Sequence, residues 1–277
     1  MSFLRKIYIF VVCCLMATAC NKSSSVQLTI LHTNDTHSQV DPRENDNLGG
    51  YARRMGLIAE ERKTDPDLLL LDAGDFCQGT PYFNYYGGEV EVDAMNRMGY
   101  DAVTLGNHEF DNGVKALADK LRKAEFPIVC SNYKVAGSPL EELVKPYIVV
   151  NKNGVKIGII GLCINPKDLI TAENFAPLEW LHPFPIADSL ATDLKERKHC
   201  DVVVCLSHLG TSMGRDDSLA VCDVNLARQS RNIDVIVGGH THKKENRYVK
   251  NKDGEEILLV QAGKSGMNVG KIILTLE

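Results

Sequence analysis

Long apolar runs are scarce in this 277-residue chain. The one near the N-terminus, Ile7 to Met16, is shorter than the roughly 20 residues a membrane-crossing helix needs, so a membrane span is not expected. No block of Lys or Arg offers a footprint for a phosphate backbone, and the net charge is −5, which argues against nucleic-acid polymers as partners. The nine cysteines follow neither a CxxC nor a zinc-ribbon spacing, so a structural thiolate zinc is not expected. No internal repeat and no low-complexity linker follows residue 25, which leaves residues 26 to 277 as a single domain. Hydrophobic residues make up 44% of the chain, enough to build a substantial core.

The N-terminus is a separate unit. Arg5 and Lys6 precede Ile7 to Met16, and small residues follow, the pattern of a secretory signal over residues 1–19. Ala17-Thr18-Ala19 before Cys20 resembles a bacterial lipoprotein box, with Ala17 where Leu is more usual. Lipidation of Cys20 is one reading, and ordinary cleavage after Ala17-x-Ala19 is the alternative. Residues 20–25 then form the lipidated cysteine and a flexible tether. The expected location is a bacterial cell envelope, exported, with the membrane met only through that anchor or the protein free in the periplasm. Of the remaining cysteines, Cys130, Cys163 and Cys205 lie in apolar runs as small buried residues. Cys77, two residues past Asp75, is either a loop residue near a site or a reactive thiol.

Strand and helix patterns alternate along the chain. Val26 to Leu31, Leu68 to Leu71, Ala102 to Leu105, Ile128 to Ser131, Val202 to Leu206 and Asp234 to Val237 read as strands. Helices are expected over Tyr51 to Lys63 (inner face Ala52, Met55, Ile58, Ala59), Glu89 to Met98 (inner face Val92, Met95, Met98), Val114 to Lys123, Ile186 to Lys198 and Asp216 to Gln229. Asn153-Gly154 between Tyr147 to Val150 and Val155 to Ile160 predicts a tight hairpin. Asn165 to Pro185 reads as a long loop. Arg247 to Val249 and Ile257 to Gln261 around Asp253-Gly254, then Val269 to Leu276, complete an α/β chain whose mixed strands form one sheet or two packed sheets.

Five apolar runs end in chemically capable residues: Asn34-Asp35-Thr36-His37, Asp72-Ala73-Gly74-Asp75, Gly106-Asn107-His108-Glu109-Phe110-Asp111, Ser207-His208 and Gly238-Gly239-His240-Thr241-His242. In α/β sheets the carboxyl ends of strands open onto the ligand crevice, so these five ends can converge. Asp35 and His37 are two apart, as are His240 and His242, and locally extended backbone would turn each pair to one face. Imidazoles, carboxylates and an amide suit Zn, Mn, Fe or similar divalent ions. Two such ions need a bridge, for which the Asp75 carboxylate is the candidate, and a pair about 3.5–4 Å apart can activate a water for displacement at phosphorus. His32, His182 and His199 have no such setting and read as structural. Asp72 is expected to support its loop, and Glu109 to face away or brace the loop. Gly263-Lys264-Ser265 imitates a phosphate loop but has Leu258 where a glycine is required.

This set of motifs resembles the calcineurin-like metallophosphoesterases, and more narrowly the catalytic domain of the 5′-nucleotidase and UDP-sugar hydrolase family. The resemblance runs through nearly all of residues 26 to 277. It implies a four-layer α/β/β/α sandwich with two mixed β-sheets. It implies one divalent ion on Asp35, His37, Asp75 and His242, and a second on Asp75, Asn107, His208 and His240. His108 would be the imidazole that is not a ligand, and Asp111 would orient it. The implied activity is release of phosphate from nucleotides, with a small-molecule phosphoester as substrate. Members of that family typically continue into a second, substrate-binding domain, which residues 26 to 277 are not expected to contain; a separately encoded domain that associates with this one is one reading, and a domain acting alone on small or varied phosphoesters is the other. A cyclic-nucleotide or general phosphodiesterase is the alternative within the enzymes, and a non-catalytic envelope scaffold the alternative outside them.

Overall fold

A computed structural model describes residues 25–212 and 219–276. The signal over 1–19, Cys20 and the tether up to residue 24 lie outside the described residues.

In chain order the elements are β1 (Val26–Thr33), α1 (Tyr51–Thr64), β2 (Leu69–Asp72), α2 (Pro81–Tyr86), α3 (Glu89–Met98), β3 (Ala102–Thr104), α4 (Gly113–Leu121), β4 (Ile128–Val129), β5 (Tyr133–Lys134), β6 (Val144–Lys145), β7 (Tyr147–Lys152) and β8 (Val155–Cys163). There follow α5 (Ala172–Phe175), β9 (Glu179–Trp180), α6 (Pro183–Glu196), β10 (Val202–His208), α7 (Asp223–Gln229), β11 (Val235–Gly238), β12 (Lys244–Lys250), β13 (Glu256–Ala262) and β14 (Gly270–Leu276). One six-stranded sheet runs β14-β1-β2-β3-β4-β6, parallel except for the β1–β14 pair. A second runs β12-β13-β11-β10-β8-β7, with parallel inner strands and antiparallel pairs at both edges. A short ribbon, β5-β9, lies apart from both.

The alternation of side chains along each strand divides the core into three layers. Leu28, Ile30, Leu69 and Leu71 of the first sheet meet Ile157, Ile159, Val204 and Val237 of the second, while Leu31, Leu70 and Val103 point the other way, to α1, α3 and α4. Ile160, Val203 and Ile236 likewise turn outward to α6 and α7. Both sheets are therefore apolar on both faces, which is why their strands read as continuous apolar runs. The result is the expected four-layer α/β/β/α sandwich.

Local departures from the sequence reading have local causes. In α1 the buried positions are Tyr51, Arg54 and Ile58, whereas Ala52 and Ala59 are exposed, because the arginine stem and the Tyr51 ring beneath its guanidinium take the inner stripe. The expected loop over Asn165 to Pro185 contains α5 and β9, and α6 starts at Pro183, a first-turn position where proline costs no hydrogen bond. Helix α7 begins at Asp223 rather than Asp216: Cys222 is extended and the Asp223 N–H donates to Gly210 O (2.8 Å), while residues 216–218 lie outside the described residues. Helix α2 was not expected. The Asn153-Gly154 hairpin forms with both residues left-handed, as its turn type requires. No helix of the described residues is long and apolar enough to cross a membrane.

Candidate metal centre

The carboxyl ends of β1, β2 and β3 lie side by side in the first sheet, and those of β10 and β11 side by side in the second. Asp35, His37, Asp75 and Asn107 leave the first set, and His208, His240 and His242 the second. The pairs two residues apart do not converge through extended backbone as expected. Asp35, His37, Asp75, His240 and His242 all have positive φ, between 46° and 68°. Each such residue costs about 1–3 kcal/mol and persists only where its surroundings hold it. They are held by a lattice of main-chain bonds: Asp35 N–H to Gly74 O (2.9 Å), His37 N–H to Asp75 O (3.0 Å) and Ser265 N–H to Asp35 O (2.7 Å). The His240 N–H donates to both Asp35 carboxylate oxygens, at 3.0 and 2.9 Å. Each pair is therefore brought into the crevice by left-handed turns rather than by the two-residue period of a strand.

Two groups of donors result. Asp35, His37 and His242 present ligand atoms within 4.8 Å of one another, and Asp75, His208 and His240 do the same. In the first, His242 Nε2 lies 3.3 Å and His37 Nε2 4.0 Å from Asp35 Oδ1. In the second, His208 Nε2 lies 3.0 Å from Asp75 Oδ2, and Asn107 Oδ1 is 3.1 Å from His240 Nδ1. His208 Nε2 is also 3.9 Å from Asp35 Oδ1, so the groups adjoin. Each group takes residues from both sheets. All seven residues read from the sequence as ligands are brought together.

The donors fit divalent cations. His37 Nε2 and His242 Nε2 stand 2.9 Å apart, a distance at which two imidazole lone pairs repel unless a proton or a cation lies between them. His208 donates Nδ1–H to Ala73 O (2.7 Å), which aims its buried Nε2 at the Asp75 carboxylate, 3.0 Å away. Fixing one ring nitrogen on a carbonyl is how a metal-binding imidazole is commonly oriented. Burial alone would lower the His208 pKa, yet the charges of Asp75 and Asp35 raise it to about 10. Burial likewise would raise Asp75, and the surrounding imidazoles His208, His108 and His37 hold it well below the usual carboxylate range instead. Such a cavity demands positive charge. His240, by contrast, is lowered to about 4 by burial and by His208, which leaves its ring neutral and able to ligate.

His108 stands at the rim. Its Nδ1 is 3.0 Å from Asp111 Oδ2, and its ring is 5.4 Å from that of His37. The hydrogen bond to Asp111 raises its pKa against the opposing effect of burial. The His108 N–H donates to Asp75 Oδ1 (2.8 Å), tying this loop to the carboxylate of the second group.

The supporting residues are buried behind the cluster. Glu109 does brace the loop: its carboxylate accepts the N–H groups of Asp75 (3.0 Å), Cys77 (3.1 Å) and Gly106 (2.6 Å). Asp72 accepts from the Thr33 hydroxyl (2.5 Å) and from Gly74 N–H (2.9 Å), and burial pushes its pKa up to about 7. Cys77 is fully buried beside Lys120, 3.2 Å away, and burial raises its thiol well above the usual range, which removes the reactive-thiol reading. Asn34 and Gln261 escaped the sequence reading. Asn34 joins Ala262 N–H and Gly263 O to the Asp35 turn, and its position beside Asp35 was the one available signal. Gln261 offered only the oddity of an amide in the apolar run Ile257 to Ala262. A cavity of about 800 Å³ is lined by residues of the 165–178 segment and by none of the ligand candidates.

Comparison with known proteins agrees with this geometry. The chain is 34% identical over 275 residues to a snake venom 5′-nucleotidase from Gloydius brevicauda, a match covering 90% of this chain and 45% of that protein. It is 34% identical over 284 residues to the 5′-nucleotidase of Rattus norvegicus, covering 90% and 46%. It thus spans about half the length of the curated relatives it matches. Among solved structures, a 5′-nucleotidase precursor from Thermus thermophilus superposes with a TM-score of 0.79 at 35% identity, over 91% of this chain and 52% of that one. The model of the calcineurin-like phosphoesterases matches residues 28–244, and with the two sheets, the converging strand ends and the paired donor groups, the chain belongs to that family.

Proposed function

We propose that the protein is a two-metal phosphoester hydrolase of the 5′-nucleotidase type, releasing phosphate from nucleotides. The observation that carries the proposal is the pair of adjoining donor groups with His108–Asp111 at their rim. Asp35, His37, Asp75 and His242 would hold one divalent ion, and Asp75, Asn107, His208 and His240 the other, with Asp75 shared. When bound, such ions would supply polarisation of a phosphoryl oxygen and a lowered pKa for a water near phosphorus. The chain supplies the rest. Asp111 fixes the His108 ring and favours its protonated form, so the free Nε2 can stabilise charge on the phosphoryl group or give its proton to the leaving oxygen. The buried Glu109 and Asp72 keep the Asp75 loop in its left-handed conformation.

The matched region is about half of each relative, which supports a role for a further domain in choosing the leaving group, on this chain's own continuation or on a separately encoded partner. Export, with a lipid on Cys20 or a soluble periplasmic form, is the proposed location and rests on the N-terminal pattern alone; mass spectrometry of the mature N-terminus would decide between the two.

The test is metal content and hydrolysis of AMP, read as phosphate released, and of UDP-glucose, a cyclic nucleotide and an aryl phosphodiester, read as the phosphomonoester or alcohol set free, with Asp75→Asn as the blank. Preference for AMP is the expected result. Activity only on the diesters would make the protein a phosphodiesterase, and absence of bound ions would leave a scaffold. His108→Ala should keep its ions and lose roughly 10²–10⁴ in turnover, the scale of a general acid. Loss of an ion in that variant would place His108 among the ligands.

A further inference from the structure

We propose that Gln261 is the positioning residue for both histidines of the Gly239-His240-Thr241-His242 turn, a role that rests on the metal-centre reading. The reason lies in the strand order. In the second sheet β13 lies between β11 and β12, so the chain leaving β11 at Gly238 must cross the end of β13 before β12 starts at Lys244. Gln261 sits at that end of β13, 3% exposed, under the crossing. Its Nε2 donates to Gly239 O at 2.5 Å, and its Oε1 accepts Lys243 N–H at 2.6 Å. These two backbone groups flank His240, Thr241 and His242, so one side-chain amide closes the turn from both sides. Thr241 Oγ1 adds a bond to Gln261 Oε1 (3.2 Å) and accepts Thr211 N–H (3.3 Å).

The requirement for an amide is strict. A backbone carbonyl can only accept and a backbone N–H can only donate, so the site needs one donor and one acceptor in a fixed order. Glutamate keeps the acceptor for Lys243 and sets an oxygen against the Gly239 carbonyl; leucine supplies neither. The turn also needs an external tie, because His240 (φ 68°) and His242 (φ 57°) are both left-handed and neither is glycine. His240 belongs to one donor group and His242 to the other. A single amide, itself outside both groups, therefore governs how two imidazoles enter the cavity.

The experiment compares the full chain with its Gln261→Leu and Gln261→Glu variants, using Mn²⁺ in equilibrium dialysis and the visible spectrum of the Co²⁺-loaded proteins. Both variants are expected to bind Mn²⁺ roughly 10- to 100-fold more weakly than the wild type, the usual loss when a residue supporting metal ligands is removed. The Co²⁺ bands should shift as well, which a change in stability alone would not produce. Variants that match the wild type in Mn²⁺ affinity and Co²⁺ spectrum would overturn the proposal. Wild-type protein that takes up no Mn²⁺ would sink the metal-centre reading itself, a result distinct from the first. Should neither variant fold, amide hydrogen exchange of the metal-free wild type decides: slow exchange at Lys243 supports the clamp, and exchange as fast as in an exposed loop refutes it.

Discussion

Replacing Glu109 by Gln exchanges one carboxylate oxygen for an amide nitrogen and exposes the logic of the loop that carries Asp75. The native carboxylate is fully buried, with Oε2 accepting from Asp75 N–H and Gly106 N–H and Oε1 from Cys77 N–H. Glutamine retains one acceptor oxygen. Its amide can serve either the Oε2 pair or the Oε1 partner, and its NH₂ then faces a backbone N–H, donor against donor. At least one buried N–H is left unpaired, at a cost of about 1–3 kcal/mol. Glu109→Ala strands all three donors, and since such losses are not additive the expected cost is roughly 3–5 kcal/mol, at the upper end for a point substitution. Denaturant unfolding of the metal-free proteins measures both, and dialysis against Mn²⁺ shows whether the Asp75 loop still presents its carboxylate. A Glu109→Gln protein as stable as the wild type, with the same ion affinity, would refute the assignment of Glu109 as the brace.

Other perturbations follow from the same geometry. A methyl group on Gly106 would collide with Asp75 Oδ1 and lie 2.6 Å from Asp75 N, so Gly106→Ala must push the loop aside and is expected to lose at least one bound ion by elemental analysis; full retention would show that the loop yields at no cost. His32 is buried, its Nδ1 is unpartnered among the described residues, and burial lowers its pKa from 6.5 to about 4. Between those values the unfolded chain binds a proton that the folded chain refuses, so its contribution is fully present above pH 6.5 and lost as pH falls to 4, by about 3 kcal/mol. Unfolding of His32→Leu across that range should lack this part of the slope; an identical slope in both proteins would refute it.

Much of this was legible in the sequence because of what the sheets bury. Strands covered on both faces read as plain apolar runs, Leu69 to Leu71 and Val202 to Leu206 among them, and reactive residues placed directly after such runs stand out. The seven ligand candidates were visible for this reason, whereas for Glu109 the sequence left two readings, facing away or bracing the loop, and its three backbone partners decide for the second. What escaped depends on distant partners. Arg54 takes an inner position on α1 because the Tyr51 ring and the space beneath the helix receive it, which the spacing of Ala52 and Ala59 could not reveal. Prolines at 183 and 185 read as loop although they open a helix, since their meaning depends on whether a hydrogen bond is owed at that turn. The left-handed backbone of Asp35, His37, His240 and His242 has no signature in residue type alone. Gln261 carries no chemistry of its own; its role exists only because β13 runs between β11 and β12.

Each donor group straddles the two sheets, with Asp35 and His37 facing His242, and Asp75 facing His208 and His240. Neither sheet alone owns a complete set. An ion held there is a rivet through the seam of the sandwich, and its affinity is a gauge of how well the halves are aligned. Binding to the native stack alone stabilises it by RT ln(1 + [M]/Kd), about 4 kcal/mol when the free ion is a thousandfold above Kd. Removing the ions should therefore loosen the seam before it disturbs either sheet. A chain whose sheets stack out of register would announce the error by failing to load, so that metal uptake doubles as an inspection of the finished fold.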